Sequence, residues 1–233
     1  MLSALLAGIA LSRPRQARLG LTILQRVAIG FGAFCGGMLG SKLPFALADS
    51  HGPLCTQAWI SDGKTILFGL VGGYLGVELA KNCVNVRTKT GDSFAIPVAV
   101  AIGIGRLGCF VAGCCYGAPT SLPWGIDFGD GIRRHPTQLY EMVFHLTAAI
   151  ILYVLECNHV FPVQRLKLYF LAYCVYRFGT EFLRPEIPIA WGLTGYQWAT
   201  IVLFPTICWL WWRDRRSIPV SVTCEPVKES RSY

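Results

Sequence analysis

Phe94-Ala-Ile-Pro-Val-Ala-Val-Ala-Ile-Gly-Ile-Gly-Arg106-Leu-Gly-Cys-Phe110-Val-Ala-Gly-Cys-Cys115-Tyr-Gly117 is an apolar run whose single charge is Arg106. About 20 apolar residues are enough to cross a bilayer as a helix. A guanidinium at that depth is costly, so its default place is a protein-lined or wet cavity where it does work. The plain alternative is an arginine that snorkels or pairs for structural reasons. A polar loop follows the run. Arg134-His-Pro-Thr-Gln-Leu-Tyr-Glu141 then opens a second apolar stretch.

Composition extends the membrane reading to the whole chain. It is 53% hydrophobic and only 15% charged, against about 25% charged in soluble domains, and its mean hydropathy is positive. The expected fold class is all-α, a polytopic membrane helical bundle of about seven transmembrane spans. The spans are expected near Met1–Leu11, Val27–Ala48, Thr65–Ala80, Phe94–Gly117, Gln138–Leu155, Lys167–Leu183 and Leu193–Trp212. One integral membrane domain would cover residues 1–218, with a short cytoplasmic tail over 219–233.

The net charge of +8 does not point to nucleic acid, because of where the basic residues fall. With the carboxyl terminus placed in the cytoplasm, one set of connections holds fourteen Lys and Arg residues and the other holds five. That asymmetry is the positive-inside pattern. It predicts an amino terminus outside and a carboxyl terminus inside a bacterial plasma (inner) membrane. The basic residues then serve topology and anionic-lipid contact first. Arg13, Arg15 and Arg18 follow the first apolar stretch instead of preceding it, unlike the charges of a signal peptide.

Three polar constellations are candidates for chemistry. Tyr173, Arg177, Glu181 and Arg184 would lie within about 80° of one another on a continuous helix. Arg177 and Glu181 are an i,i+4 pair that can neutralise each other, yet two arginines against one carboxylate leave a positive excess suited to a phosphate. Gln138, Glu141 and His145 share one face of the fifth span, with Pro136 suited to its first turn. Glu141 and His145 satisfying each other is the structural alternative there. Cys109, Cys114 and Cys115 put three sulfurs within seven residues. A helix would spread them at roughly 0°, 140° and 240°, and a break at Gly113 would be needed to bring them together. The spacing is not an established zinc motif, so no metal and no cofactor are expected, and the three remain a possible thiol site. Gly30 to Gly37 and Gly69 to Gly76 carry small-residue spacing that reads as close helix packing.

Together these motifs resemble the prolipoprotein diacylglyceryl transferase family. The resemblance rests on Gly105-Arg106-x-Gly108-x-Phe110 running to Gly117, on Arg134-His-Pro-Thr-Gln-Leu-Tyr-Glu141, on Tyr173-x-x-x-Arg177-Phe-x-x-Glu181-Phe-x-Arg184, and on Gly195-Tyr-Gln-Trp198. It implies a seven-span enzyme that moves diacylglyceryl from phosphatidylglycerol to the lipobox cysteine of a prolipoprotein. The implied partners are phosphatidylglycerol, the lipobox peptide and membrane lipids, and no nucleic acid. Arg106 and Arg177 would hold the lipid phosphate, with Tyr173 and Glu181 orienting Arg177. Gly105, Gly108, Arg134, His135, Gln138, Tyr140, Glu141 and Arg184 would line the substrate cavity. The chain departs from the family pattern at three places: Cys109 and Cys114 stand where members carry Asn and Glu, and Val71 stands where they carry His. Glu141, His145 and Glu181 are then the candidates to deprotonate the accepting thiol. The other reading on the same fold is a non-catalytic or thiol- or metal-active membrane protein that binds anionic phospholipid.

Overall fold

The computed structural model describes residues 2–48, 65–186 and 188–216. The expected tail over 219–233 lies outside the described residues. Seven α-helices account for most of the described chain: α1 (Leu2–Ala17), α2 (Ile23–Ala48), α3 (Ile66–Cys83), α4 (Gly91–Val111), α5 (Thr137–Cys157), α6 (Arg165–Thr180) and α7 (Gly195–Arg216). A two-stranded hairpin, β1 (Ile126–Asp127) with β2 (Arg133–Arg134), lies between α4 and α5. Its register pairs Ile126 with Arg134 and Asp127 with Arg133.

Local signals in the sequence set several helix ends. Thr22 and Gln25 form a reciprocal capping box at the start of α2, with the Gln25 amide donating to Thr22 Oγ1 at 3.3 Å and the Thr22 amide donating to Gln25 Oε1 at 3.0 Å. Thr194 and Gln197 repeat the device at α7. The end of α4 is a Schellman turn: the Cys114 amide donates to the Cys109 carbonyl and the Gly113 amide to the Phe110 carbonyl, both at 3.1 Å. Gly113 takes the left-handed conformation that this turn requires, at φ +63°. The helix therefore stops at Val111, short of the expected Gly117.

A second boundary corrects the sequence reading. α6 ends at Thr180, Glu181–Leu183 form one 3-10 turn, and Arg184 is extended. Arg184 therefore does not continue the helical face of Tyr173 and Arg177.

α2 packs on α3, α1 and α5 on α4, and α6 on α7. The α2–α3 seam is built from glycine: a Cβ on Gly36 would lie 2.2 Å from the Gly72 carbonyl oxygen, and one on Gly76 would lie 2.1 Å from that of Gly32. The main apolar core joins α3 to α7 through Leu67, Leu70, Ala95, Ala99, Leu152, Tyr169 and Ile207. Large apolar side chains such as Ile150, Ile151, Val154, Val175 and Val202 point outward, as expected where lipid is the solvent.

Among the described residues three helices are long and apolar enough to cross a membrane: α2 over Ile23–Pro44, α4 and α5. The other four expected spans are also helical. α1 and α6 have 16 residues, about 24 Å of rise, and α3 and α7 carry charged residues in their last turns.

Ion pairs draw one end of the bundle together. Arg15 meets Glu156 at 3.1 Å, Arg165 meets Asp92 at 3.3 Å, and Asp214 receives Lys89 at 3.4 Å and Lys167. Each of these four basic residues belongs to the cation-rich set read from the sequence.

Candidate functional site

At the other end of the bundle, α4, α5, α6 and the 3-10 turn present buried charged side chains to one another. Glu141 on α5 is the hub, with 1% of its surface exposed. Its Oε1 accepts a hydrogen bond from the Tyr173 hydroxyl at 2.8 Å. Its Oε2 pairs with Arg106 Nε at 2.8 Å and accepts from Arg184 Nη2 at 3.2 Å. Arg177 pairs with Glu181 at 2.7 Å, lies over the Tyr196 ring at 4.6 Å, and sits within electrostatic range of Glu141. The Thr194 hydroxyl donates to the other Glu181 oxygen at 2.9 Å.

Three buried guanidinium groups thus share two carboxylates, which leaves one positive charge in excess. The Arg106–Glu141 pair lies off the N–H axis. Nε of Arg106 and Nε of Arg184 are both buried with no hydrogen-bond acceptor among the described residues. Uncompensated buried charge and unused donors are costly. An anion with several oxygens would relieve both costs at once, and arginine forks suit phosphate in particular.

The structure brings Arg106, Gln138, Glu141, Tyr173, Arg177, Glu181 and Arg184 into one region and sets other predicted residues elsewhere. Arg134 lies in the hairpin between α4 and α5, where Asp130 accepts from its Nε at 3.0 Å and the Tyr116 ring lies 4.9 Å from it. That cation holds the exposed Asp130 carboxyl below the usual carboxylate range. The Tyr140 hydroxyl accepts from the Trp124 indole at 2.9 Å and lies 3.3 Å from His135 Nδ1. These two belong to the loop network. A Cβ on Gly105 or Gly108 would meet no atom within 4 Å, so neither glycine mediates close packing.

One expected pairing and one structural alternative come out differently. Tyr173 orients Glu141 and not Arg177, whose carboxylate partner is Glu181. His145 is fully buried, but its Nδ1 meets the Tyr169 hydroxyl at 2.8 Å in place of Glu141. Thr194, Gln197, Tyr196 and Tyr169 support the site and were missed as site residues. Their signals were the Thr194-x-x-Gln197 capping pattern and the four-residue spacing of Tyr169 and Tyr173. Val71 borders a small apolar cavity with Leu70 and Tyr173.

Past the Schellman turn, Gln138 Nε2 donates to the Cys114 carbonyl at 2.6 Å and the Thr137 hydroxyl to the Cys115 carbonyl at 2.9 Å. The sulfurs of Cys109, Cys114 and Cys115 lie within 4.8 Å of one another. The break at Gly113 thus brings together what a continuous helix would have separated.

An all-α membrane bundle with a buried, net-positive arginine cluster is the class that fold and geometry define. Within that class, the family model described as prolipoprotein diacylglyceryl transferase matches residues 1–213, and the chain belongs to that family. Similar proteins include the phosphatidylglycerol–prolipoprotein diacylglyceryl transferases of Clostridium tetani, Nitratidesulfovibrio vulgaris and Geobacter sulfurreducens. The first is 34% identical over 65% of this chain and 65% of its own length, the second 34% over 79% and 74%, and the third 33% over 76% and 71%. The chain thus spans just under two thirds of the length of the Clostridium tetani relative.

Proposed function

We propose that this protein transfers the diacylglyceryl group of phosphatidylglycerol to the lipobox cysteine thiol of prolipoproteins, the first modification in lipoprotein biosynthesis. The observation that carries the reading is the charge balance: three buried arginines, two carboxylates and two unused Nε–H donors in a chain of this family. The lipid phosphate fills that deficit, and the same donors stabilise the charge that grows on it as it leaves.

Phosphatidylglycerol enters sideways between helices. An apolar groove between α6 and α7, lined by Val175, Phe178, Ile201, Phe204 and Pro205, suits an acyl chain. Arg106, Arg177 and Arg184 hold the phosphate. Glu141 aligns Arg106 and Arg184, and Tyr173 fixes Glu141; both are positioning residues. The peptide thiolate attacks the glyceryl carbon bonded to phosphate. A carbon–sulfur bond forms, the carbon–oxygen bond breaks, and its electron pair leaves with glycerol phosphate.

The thiol proton goes to water at the outer mouth of the site, because the two carboxylates are already engaged and the imidazole has no exposed surface. Glu141 and Glu181 each use both oxygens, and His145, whose Nδ1 meets Tyr169 and whose Nε2 has no partner among the described residues, is fully buried. The positive field of the arginines lowers the pKa of the incoming thiol, which reduces the demand for a dedicated base. Arg134, His135 and Tyr140 border the peptide from the outer loop, and Gly105 and Gly108 leave room for substrate beside α4. The bundle spans the bacterial inner membrane seven times, amino terminus outside. The single-ended gathering of Arg15, Lys89, Arg165 and Lys167 supports that orientation.

The test is mass spectrometry of a synthetic lipobox peptide incubated with the purified protein and phosphatidylglycerol vesicles. A diacylglyceryl mass gain in the wild type that vanishes in Arg106→Ala is the expected result. No gain from folded, lipid-binding protein overturns the reading.

A further inference from the structure

The three-cysteine cluster is not used by the reaction above. We propose that Cys109, Cys114 and Cys115 form a tris-thiolate site for one divalent d10 cation of the zinc group, beside the arginine cluster.

Three observations converge. The sulfurs all lie within 4.8 Å of one another, with Cys114 and Cys115 exposed and Cys109 half-buried, so an ion can reach them. Sulfurs about 2.3 Å from a zinc-sized ion stand about 4 Å apart, so closing on the ion takes shifts of an ångström or less. The backbone that carries them is pinned before any ion arrives. The Schellman turn joins Cys114 to Cys109, Gln138 and Thr137 hold the carbonyls of Cys114 and Cys115, and the Gly117 amide donates to the His135 carbonyl at 2.8 Å. Cys115 is held at φ +63°, a conformation that a non-glycine residue keeps only where its surroundings fix it.

Charge selects the ion. Arg106 lies within electrostatic range of Cys109 and Cys115, and Arg184 within range of Cys115. A bare cation would be repelled there. Three thiols that bind a divalent ion release three protons and give a complex of net charge −1, which matches the single positive excess of the arginine cluster. Soft sulfur ligands favour thiophilic ions over magnesium or calcium.

The experiment uses the full chain in detergent with a non-thiol reductant, cadmium as the probe, and no lipid or peptide. The wild type should take up one more equivalent of cadmium than the Cys109→Ser/Cys114→Ser/Cys115→Ser variant. It should also show a sulfur-to-cadmium ultraviolet band and a three-sulfur cadmium-113 resonance that the variant lacks. Each single Cys→Ser change should weaken uptake roughly tenfold or more, and the single variants carry the comparison if the triple variant does not fold. Equal uptake and equal bands in wild type and variants overturn the site, as does a disulfide among the three in place of uptake. Because lipid and peptide are absent, failure here leaves the transferase reading standing, and failure of that reading leaves this one standing.

Discussion

Two glycine-bearing regions of this bundle do opposite things. Between α2 and α3, Gly32, Gly36 and Gly40 meet Gly72 and Gly76 so closely that a single added Cβ would overlap backbone. Along α4, Gly105 and Gly108 flank Arg106 and touch nothing beyond their own helix. The first region spends glycine on packing two apolar helices without side chains between them. The second keeps surface clear beside a buried charge. The sequence pattern is glycine-rich in both places, and only the neighbouring residue types separate them: Phe, Leu and Tyr in one, an arginine in the other. Close packing therefore marks the α2–α3 seam, and the proposed function assigns the chemistry to the α4–α5–α6 cluster.

Substitutions in each region can break or sharpen that division. Arg106→Ala should carry the largest effect, lowering transfer about 10²- to 10³-fold, about 2.7–4 kcal/mol, while the protein still purifies as a folded membrane protein. A steady-state transfer assay read beside a detergent melting curve checks both halves. Gly76→Val should do the reverse. Its Cβ would fall 2.1 Å from the Gly32 carbonyl oxygen, a backbone overlap that costs about 3 kcal/mol and lowers the melting temperature or the folded yield; whatever folds should keep its transfer rate. Tyr173→Phe removes one hydrogen bond to Glu141, worth about 1 kcal/mol. It should slow transfer several-fold and leave binding of phosphatidylglycerol nearly unchanged, because the arginines remain. Gly105→Ala should change the melting temperature least, within about 0.5 kcal/mol, since its methyl meets open space. A large loss of stability there would show that α4 is packed by glycine after all.

Much of this division could be read from residues alone. Arg106 stood out because a charge in an apolar run has few places to go. Arg177 with Glu181, and Gln138 with Glu141 and His145, were legible because helical spacing fixes which side chains share a face. What spacing could not supply was the rotation of one helix against another. The Tyr173 hydroxyl reaches Glu141 across the α5–α6 interface and not Arg177 on its own helix, and His145 meets Tyr169 for the same reason. The end of α6 was signalled by Gly179 and by Pro185, which holds the preceding Arg184 extended. What was hidden was the 3-10 turn at Glu181–Leu183 and the direction in which it sends Arg184. That turn swings Arg184 toward Glu141 and adds the third guanidinium to the cluster. The thiol cluster needed the Schellman turn at Gly113. The glycine was visible in the sequence, but the direction of the fold-back was not.

The charge balance at Glu141 and Glu181 is the central claim, and lipid selectivity tests it most directly. Native mass spectrometry of the detergent-purified protein, offered equal amounts of phosphatidylglycerol and phosphatidylcholine with the same acyl chains, reads that selectivity without any catalytic step. A net-positive site predicts strong retention of phosphatidylglycerol by the wild type and loss of the preference in Arg106→Ala and Arg177→Ala. Equal retention of the two lipids by the wild type, or a preference that survives both substitutions, would contradict the account.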